Sequence, residues 1–139
     1  MTFEPIIRSQ SDLHETWSRL MGPLGFSGRS IWLMLIRADH RPLPHLTQIE
    51  EADRLPSHEQ QRSFAEMLQM LVTDVVPGGR VAFLRSRPGA GGLTLEDKAW
   101  ARSLYDAARI SRVSVEVVHR ACDVDLVPVP MDEVLAQPA

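Results

Sequence analysis

Arg85 and Arg87 stand two apart, and Thr94 and Asp97 follow them across a glycine-rich link. Residues two apart on a strand share a face, so the two guanidiniums would point the same way. A guanidinium stays protonated and offers only donors. The pair could therefore clamp a phosphate or a carboxylate, or each arginine could form an ion pair with Asp97. The link, Pro88-Gly-Ala-Gly-Gly92, runs into a helix start, which is a favourable environment for an anion. It has neither the Gly-Lys-Ser/Thr ending of a P-loop nor the spacing of a dinucleotide fingerprint, so a flexible turn is its plain reading. Thr94-x-x-Asp97 also has the form of a helix cap with an acid in the first turn.

Other reactive side chains form no such group. His40, His45 and His58 lie in or near loops and show no zinc-motif spacing. His119 falls in a strand pattern, where a packed histidine is the plain reading. Cys122 precedes Asp123, a carboxylate that would raise its pKa, and no base is placed to activate it. Trp17, Trp32 and Trp100 read as core or interface anchors. Trp100, Arg102 and Tyr105 could stack single-stranded nucleic acid, but Glu96, Asp97 and Asp106 are mixed among them.

The 139 residues are the usual size of one domain. Hydrophobic residues at 44% and charged residues at 24% are ordinary for a soluble domain, and the net charge of -3 gives no case for nucleic acid or an anionic membrane. One cysteine excludes an internal disulfide framework and fits a reducing, cytoplasmic setting. No apolar run reaches the roughly 18 residues that a spanning helix needs, and the N-terminus does not read as a signal peptide.

The elements that would position the arginines follow from periodicity. Residues 1–8 read as a loose arm, residues 9–130 as the domain and residues 131–139 as a tail, frayed helix or disordered. Ser9 or Ser11 caps a first helix, with Leu13, Trp17, Leu20 and Met21 on one stripe and Gly22-Pro23 ending it. Residues 30–37 are a buried central strand, and residues 43–49 a second strand antiparallel to it. Ser57 and Gln60 make a capping box for a helix whose apolar face is Phe64, Met67, Leu68 and Leu71. Residues 80–84 form a third strand. Thr94 caps a helix over about 95–110, with Leu95, Ala99, Leu104 and Ala108 facing inward. Val113, Val115 and Val117 mark a fourth strand, and residues 126–129 a short fifth. The order α-β-β-α-β-α-β-β predicts an α+β domain, with a mixed central sheet between helices in an α/β/α-like layering.

With that order, the run Val81-Ala-Phe-Leu-Arg-Ser-Arg-Pro-Gly-Ala-Gly-Gly-Leu-Thr-Leu-Glu-Asp97 resembles the JAB/MPN metalloprotease-like domain, in its bacterial RadC-like branch, over residues 9–129. The resemblance implies a cytidine-deaminase-like architecture. In that family the strand ends in His-x-His-Pro, and Ser-x-x-Asp opens the next helix. Both histidines and the aspartate bind zinc, and an upstream glutamate activates the bound water. Here Arg85 and Arg87 stand at the histidine positions, Thr94 at the serine and Asp97 at the aspartate. No acid stands near Arg29 or Ser30, where the glutamate is implied. His119 falls where the RadC-like branch carries a further histidine. A guanidinium repels a divalent cation instead of donating to it.

The resemblance therefore implies a metal-free, cofactor-free and catalytically inactive relative. Its expected role is an interaction or regulatory module with a protein partner, including a homodimer. Arg85, Arg87, Thr94 and Asp97 would line the former metal cleft. The alternatives are a binder or enzyme for an anionic small molecule, with Arg85 and Arg87 as the clamp, and a nucleic-acid accessory protein. A basic face around Arg29, Arg80, Arg85, Arg87 and Arg120 would favour the last.

Overall fold

The two longest apolar runs form the centre of the sheet. In the computed structural model, which describes residues 5–50 and 52–135, β1 (Ser30–Ile36) pairs antiparallel with β3 (Arg80–Ser86) along their full lengths, from Ser30 opposite Ser86 to Ile36 opposite Arg80. Alternation along these strands sends side chains to both faces. Ile31, Leu33, Val81 and Phe83 face one way, and Met34, Ile36, Ala82 and Leu84 the other. Both sets are buried, which is why β1 reads as a continuous apolar run instead of an alternating one.

Three shorter strands complete a mixed sheet in the order β2-β1-β3-β4-β5. These are β2 (Thr47–Ile49), β4 (Val118–Ala121) and β5 (Leu126–Val129). Only β3 and β4 run parallel, and α3 (Leu95–Ser111) makes the crossover between them. α1 (Gln10–Met21) covers one face through Leu13 and Trp17. α2 (His58–Asp74) and α3 cover the other, joined there by Val134 of the short α4 (Met131–Leu135). Among the described residues the chain is one small α+β domain, five strands in a mixed sheet between helices.

The caps form where the sequence places them. Ser9 accepts from the Asp12 amide at the start of α1. Both reciprocal bonds of a capping box are present at Ser57/Gln60 and at Thr94/Asp97. Tyr105 of α3 links the edge of the sheet to the helices: its hydroxyl donates to Val129 O at 2.8 Å and accepts from Val118 N at 2.9 Å. Gly79, just before β3, is fixed by close approach, because a Cβ there would run into the Ile36 carbonyl oxygen and lie 2.8 Å from Val76 O.

Several elements differ from expectation. The second strand is three residues long, not residues 43–49. Its register continued would set residue 44 opposite Ile36, but Pro42 sits there, so two residues bulge out. Pro44, which has no N–H, lies in that bulge. The fourth strand is Val118–Ala121 and not the valine alternation before it. Residues 113–117 pair with the β3 backbone at one isolated bridge, Val115 with Val81. β3 continues two residues beyond Leu84, to Ser86. Leu95 is 84% exposed, and Leu20 and Met67 also face solvent. The arm is anchored within its described part: Ile7 is fully buried and its amide donates to His40 O at 2.8 Å. Residues 1–4 of the arm and 136–139 of the tail lie outside the described residues.

Candidate functional site

Parallel pairing of β3 and β4 sets Arg85 beside Arg120, and both side chains point to the α3 face. Arg87 lies just past β3, held by its amide on Ala121 O at 3.1 Å. The first turn of α3 brings Glu96 and Asp97 over this strand end. Arg85, Arg87 and Arg120 are 2%, 7% and 1% exposed, and Asp97 is 1% exposed.

Asp97 is the centre of the cluster. Arg87 grips it with two parallel bonds, Nε to Oδ1 and Nη2 to Oδ2, each 2.8 Å. Such fork-to-carboxylate pairs are the strong form of the interaction. Arg85 Nε donates to Oδ1 at 3.1 Å, and Arg120 Nε lies 3.9 Å from Oδ2. The Thr94 amide donates to Oδ2 at 2.9 Å, so one carboxylate closes the helix cap and binds the arginines together. Burial alone would raise the Asp97 pKa. The Arg87 and Thr94 hydrogen bonds and the positive charges of Arg87 and Arg85 outweigh it and hold the pKa at about 2. The same Asp97 bond raises the Arg87 pKa above its usual value, against burial.

Two outer carboxylates complete the balance. Glu96 pairs with Arg85, and Asp125 accepts from Arg120 Nη1 at 3.0 Å. Their side chains are 49% and 46% exposed, so each links a buried guanidinium to solvent. Three guanidiniums thus meet three carboxylates. Arg120 Nη1 also donates to Cys122 Sγ at 3.0 Å, and that thiol donates to Asp125 at 3.1 Å. The Arg85 guanidinium lies 5.7 Å from the centroid of the Trp100 ring. Arg85 Nη1 and Arg120 Nε are buried without a hydrogen-bond partner among the described residues.

The structure brings Arg85, Arg87, Thr94 and Asp97 together, as the strand spacing and the cap imply. The guanidiniums face carboxylates of the chain itself. His119 does not join them. It projects from the opposite face of β4, with its ring centroid 5.8 Å from that of His14 on α1. Burial lowers its pKa to about 4, so the ring is neutral; its Nδ1–H donates to Val117 O at 2.9 Å. The glycine-rich link is pinned by Asp123, whose carboxylate accepts from Gly89 N at 2.8 Å and from Phe26 N at 2.9 Å. These two bonds lower the Asp123 pKa. Arg120, Glu96 and Asp125 were not singled out as members of the cluster by sequence. The signal for Arg120 was a charged residue at an inward strand position.

The five arginines that could have made a basic face are each matched to a carboxylate, and Glu96 is shared between Arg29 and Arg85. Arg29 pairs with Asp53 and Glu96, and Arg80 with Glu116, while the other three belong to the Asp97 cluster. Among the described residues no three His, Cys, Asp or Glu side chains are grouped as metal ligands would be. Zinc does not fit the residues at the β3–α3 corner, because the side chains on Asp97 are guanidiniums, which stay protonated and offer no lone pair to a metal. No described helix is long and apolar enough to cross a membrane.

Fold and site together define a small α+β domain with a buried arginine–carboxylate cluster where a sheet meets a helix start. Compared with known proteins, the chain matches no family model, no curated protein and no solved structure.

Proposed function

We propose that this chain is a metal-free relative of the JAB/MPN domain, RadC-like in type, that acts as a catalytically inactive interaction module. One observation carries the reading: Asp97, the counterpart of a zinc ligand in the resemblance, is held by Arg87 in a two-bond fork and by Arg85. Two fixed positive charges do at this corner what a divalent cation would do, which is to neutralise the carboxylate and tie the strand end to the helix. Zinc needs about three anionic or neutral-nitrogen ligands and an open position for water. Arg85 and Arg87 supply neither, and without a metal-bound water the hydrolysis of the resembled family has no nucleophile. What remains is a folded domain whose role would be surface recognition of a protein partner, a second copy of the chain included.

The test is reconstruction of the metal site. Equilibrium dialysis of the natural chain against zinc should leave no stoichiometric metal, and one zinc per chain would refute the proposal. The double variant Arg85→His with Arg87→His sets two imidazoles beside Asp97 and should take up one zinc per chain. A folded double variant that stays metal-free removes the correspondence with the JAB/MPN site. Light scattering of the purified chain then separates self-association from a role that needs a different partner.

A further inference from the structure

A second site lies on the same face of the sheet, between α2, α3 and the connection from β2 to α2. It is a pocket of about 260 Å³. Its floor is Ile31 and Ile49, which are opposite each other across β1 and β2. Phe64 of α2 and Leu104 of α3 form apolar walls. Trp100 lines it as well, and its buried indole N–H has no acceptor among the described residues. The volume is at the lower end of small-molecule sites, roughly 300–1,000 Å³, and suits a small metabolite.

The charges on its wall specify the ligand. Glu50 and Arg54 both line the pocket, and both are exposed. Neither has an ion-pair partner among the described residues, although they are four apart and opposite in sign. Gln61 spends its amide within the wall: its Nε2 donates to Ser103 O at 3.0 Å and to Ser103 Oγ at 3.5 Å. An apolar pocket whose wall carries a cation and an anion without ion-pair partners among the described residues matches a molecule that carries both charges at one end and an apolar body at the other. A monocarboxylate would leave Glu50 unanswered, and an amine would leave Arg54 unanswered.

We infer that this pocket binds a free α-amino acid with an apolar or aromatic side chain. Arg54 takes the carboxylate, Glu50 takes the ammonium, and the side chain rests on Ile31 and Ile49 between Phe64 and Trp100. The inference does not depend on the JAB/MPN reading, because of these residues only Trp100 touches the arginine–carboxylate cluster, through the Arg85 guanidinium beside its ring. Titration calorimetry on the full chain with L-leucine and L-phenylalanine tests it. Saturable one-site binding of at least one of them is expected. Phenylalanine amide and 3-phenylpropanoate, which each lack one charge, should bind at least about tenfold more weakly, as should L-phenylalanine or L-leucine to Arg54→Gln and Glu50→Gln. Glycine, with no side chain, should give no heat. No saturation by leucine or phenylalanine at millimolar concentration overturns the inference and leaves a solvated surface groove. Equal binding of 3-phenylpropanoate overturns it in favour of a monocarboxylate site. The analogue series needs no variant, so a variant that misfolds does not remove the test.

Discussion

Replacing Asp97 by alanine should be among the most destabilising single changes in this chain. The carboxylate accepts from Arg87 twice at 2.8 Å, from Arg85 at 3.1 Å and from the Thr94 amide at 2.9 Å. Without it, Arg87 keeps only the carbonyls of Pro88 and Gly92, at 3.1 and 3.3 Å. Removing one partner of a buried ion pair costs about 3–5 kcal/mol, because the other charge stays buried and unanswered. The lost cap adds about 1 kcal/mol. The total, about 4–6 kcal/mol, is a large share of the roughly 5–15 kcal/mol that holds a domain folded. At about 2–4 °C per kcal/mol for this size, the thermal midpoint should fall by about 10–20 °C. Urea unfolding followed by tryptophan fluorescence and far-ultraviolet circular dichroism measures the loss. Arg109→Ala, which breaks an exposed pair with Asp106, is the control and should cost less than about 1 kcal/mol. If Asp97→Ala costs no more than that control, the cluster is not the structural tie described above.

Three further outcomes follow from the same geometry. His119 has its pKa lowered to about 4, so it contributes stability that is full above the unfolded value near 6.5 and is lost as pH falls toward 4; Asp97, held at about 2, contributes stability that is lost only below the unfolded value near 3.8. Unfolding free energy measured against pH should therefore fall in two stages, the upper one worth about 3 kcal/mol and absent from His119→Phe; an unchanged upper stage in that variant would be the contrary result. Gly79→Ala should cost about 1–3 kcal/mol by driving a methyl group into the Ile36 carbonyl, where an ordinary exposed glycine would tolerate it; a neutral result would disprove the close approach. Cys122 is fully buried between Arg120 and Asp125, so a thiol reagent should react with it only on unfolding, and prompt labelling of the native chain would contradict that packing.

Where the sequence was legible, local chemistry and periodicity agreed. The caps at Ser9, Ser57 and Thr94, the two central strands and the mixed sheet follow from side-chain oxygens at helix starts and from apolar runs of strand length. The second strand misled because Pro42 and Pro44 were placed within or at the start of a regular ladder, where the structure has a bulge. The buried stripe of α3 is Asp97, Trp100, Ala101, Leu104, Ala107 and Ala108. An apolar pattern cannot begin on an aspartate, so it begins on Leu95, one phase off, and puts an exposed residue inside. β4 is buried throughout as Val-His-Arg-Ala, and the alternating valines before it look more like a strand than it does.

The errors at α3 and β4 have one cause, and it bears on what the cluster is. Asp97 and Arg120 occupy core positions in elements whose other inward residues are apolar. Their burial is possible only because each supplies part of the other's environment, with Arg85 and Arg87 between them. A charged residue at such a position conceals its element from hydrophobic periodicity, so the corner that was hardest to read is the corner that holds the site. The same interdependence distinguishes this corner from the pocket above α2. Three guanidiniums answered by Asp97, Glu96 and Asp125 leave no net charge for a ligand, whereas Glu50 and Arg54 have no ion-pair partner among the described residues and stand on the wall of an open apolar pocket. Binding energy is available where charge is free and water is still in place. By that criterion the arginine cluster acts within the fold, and ligand recognition belongs to the pocket beside Trp100.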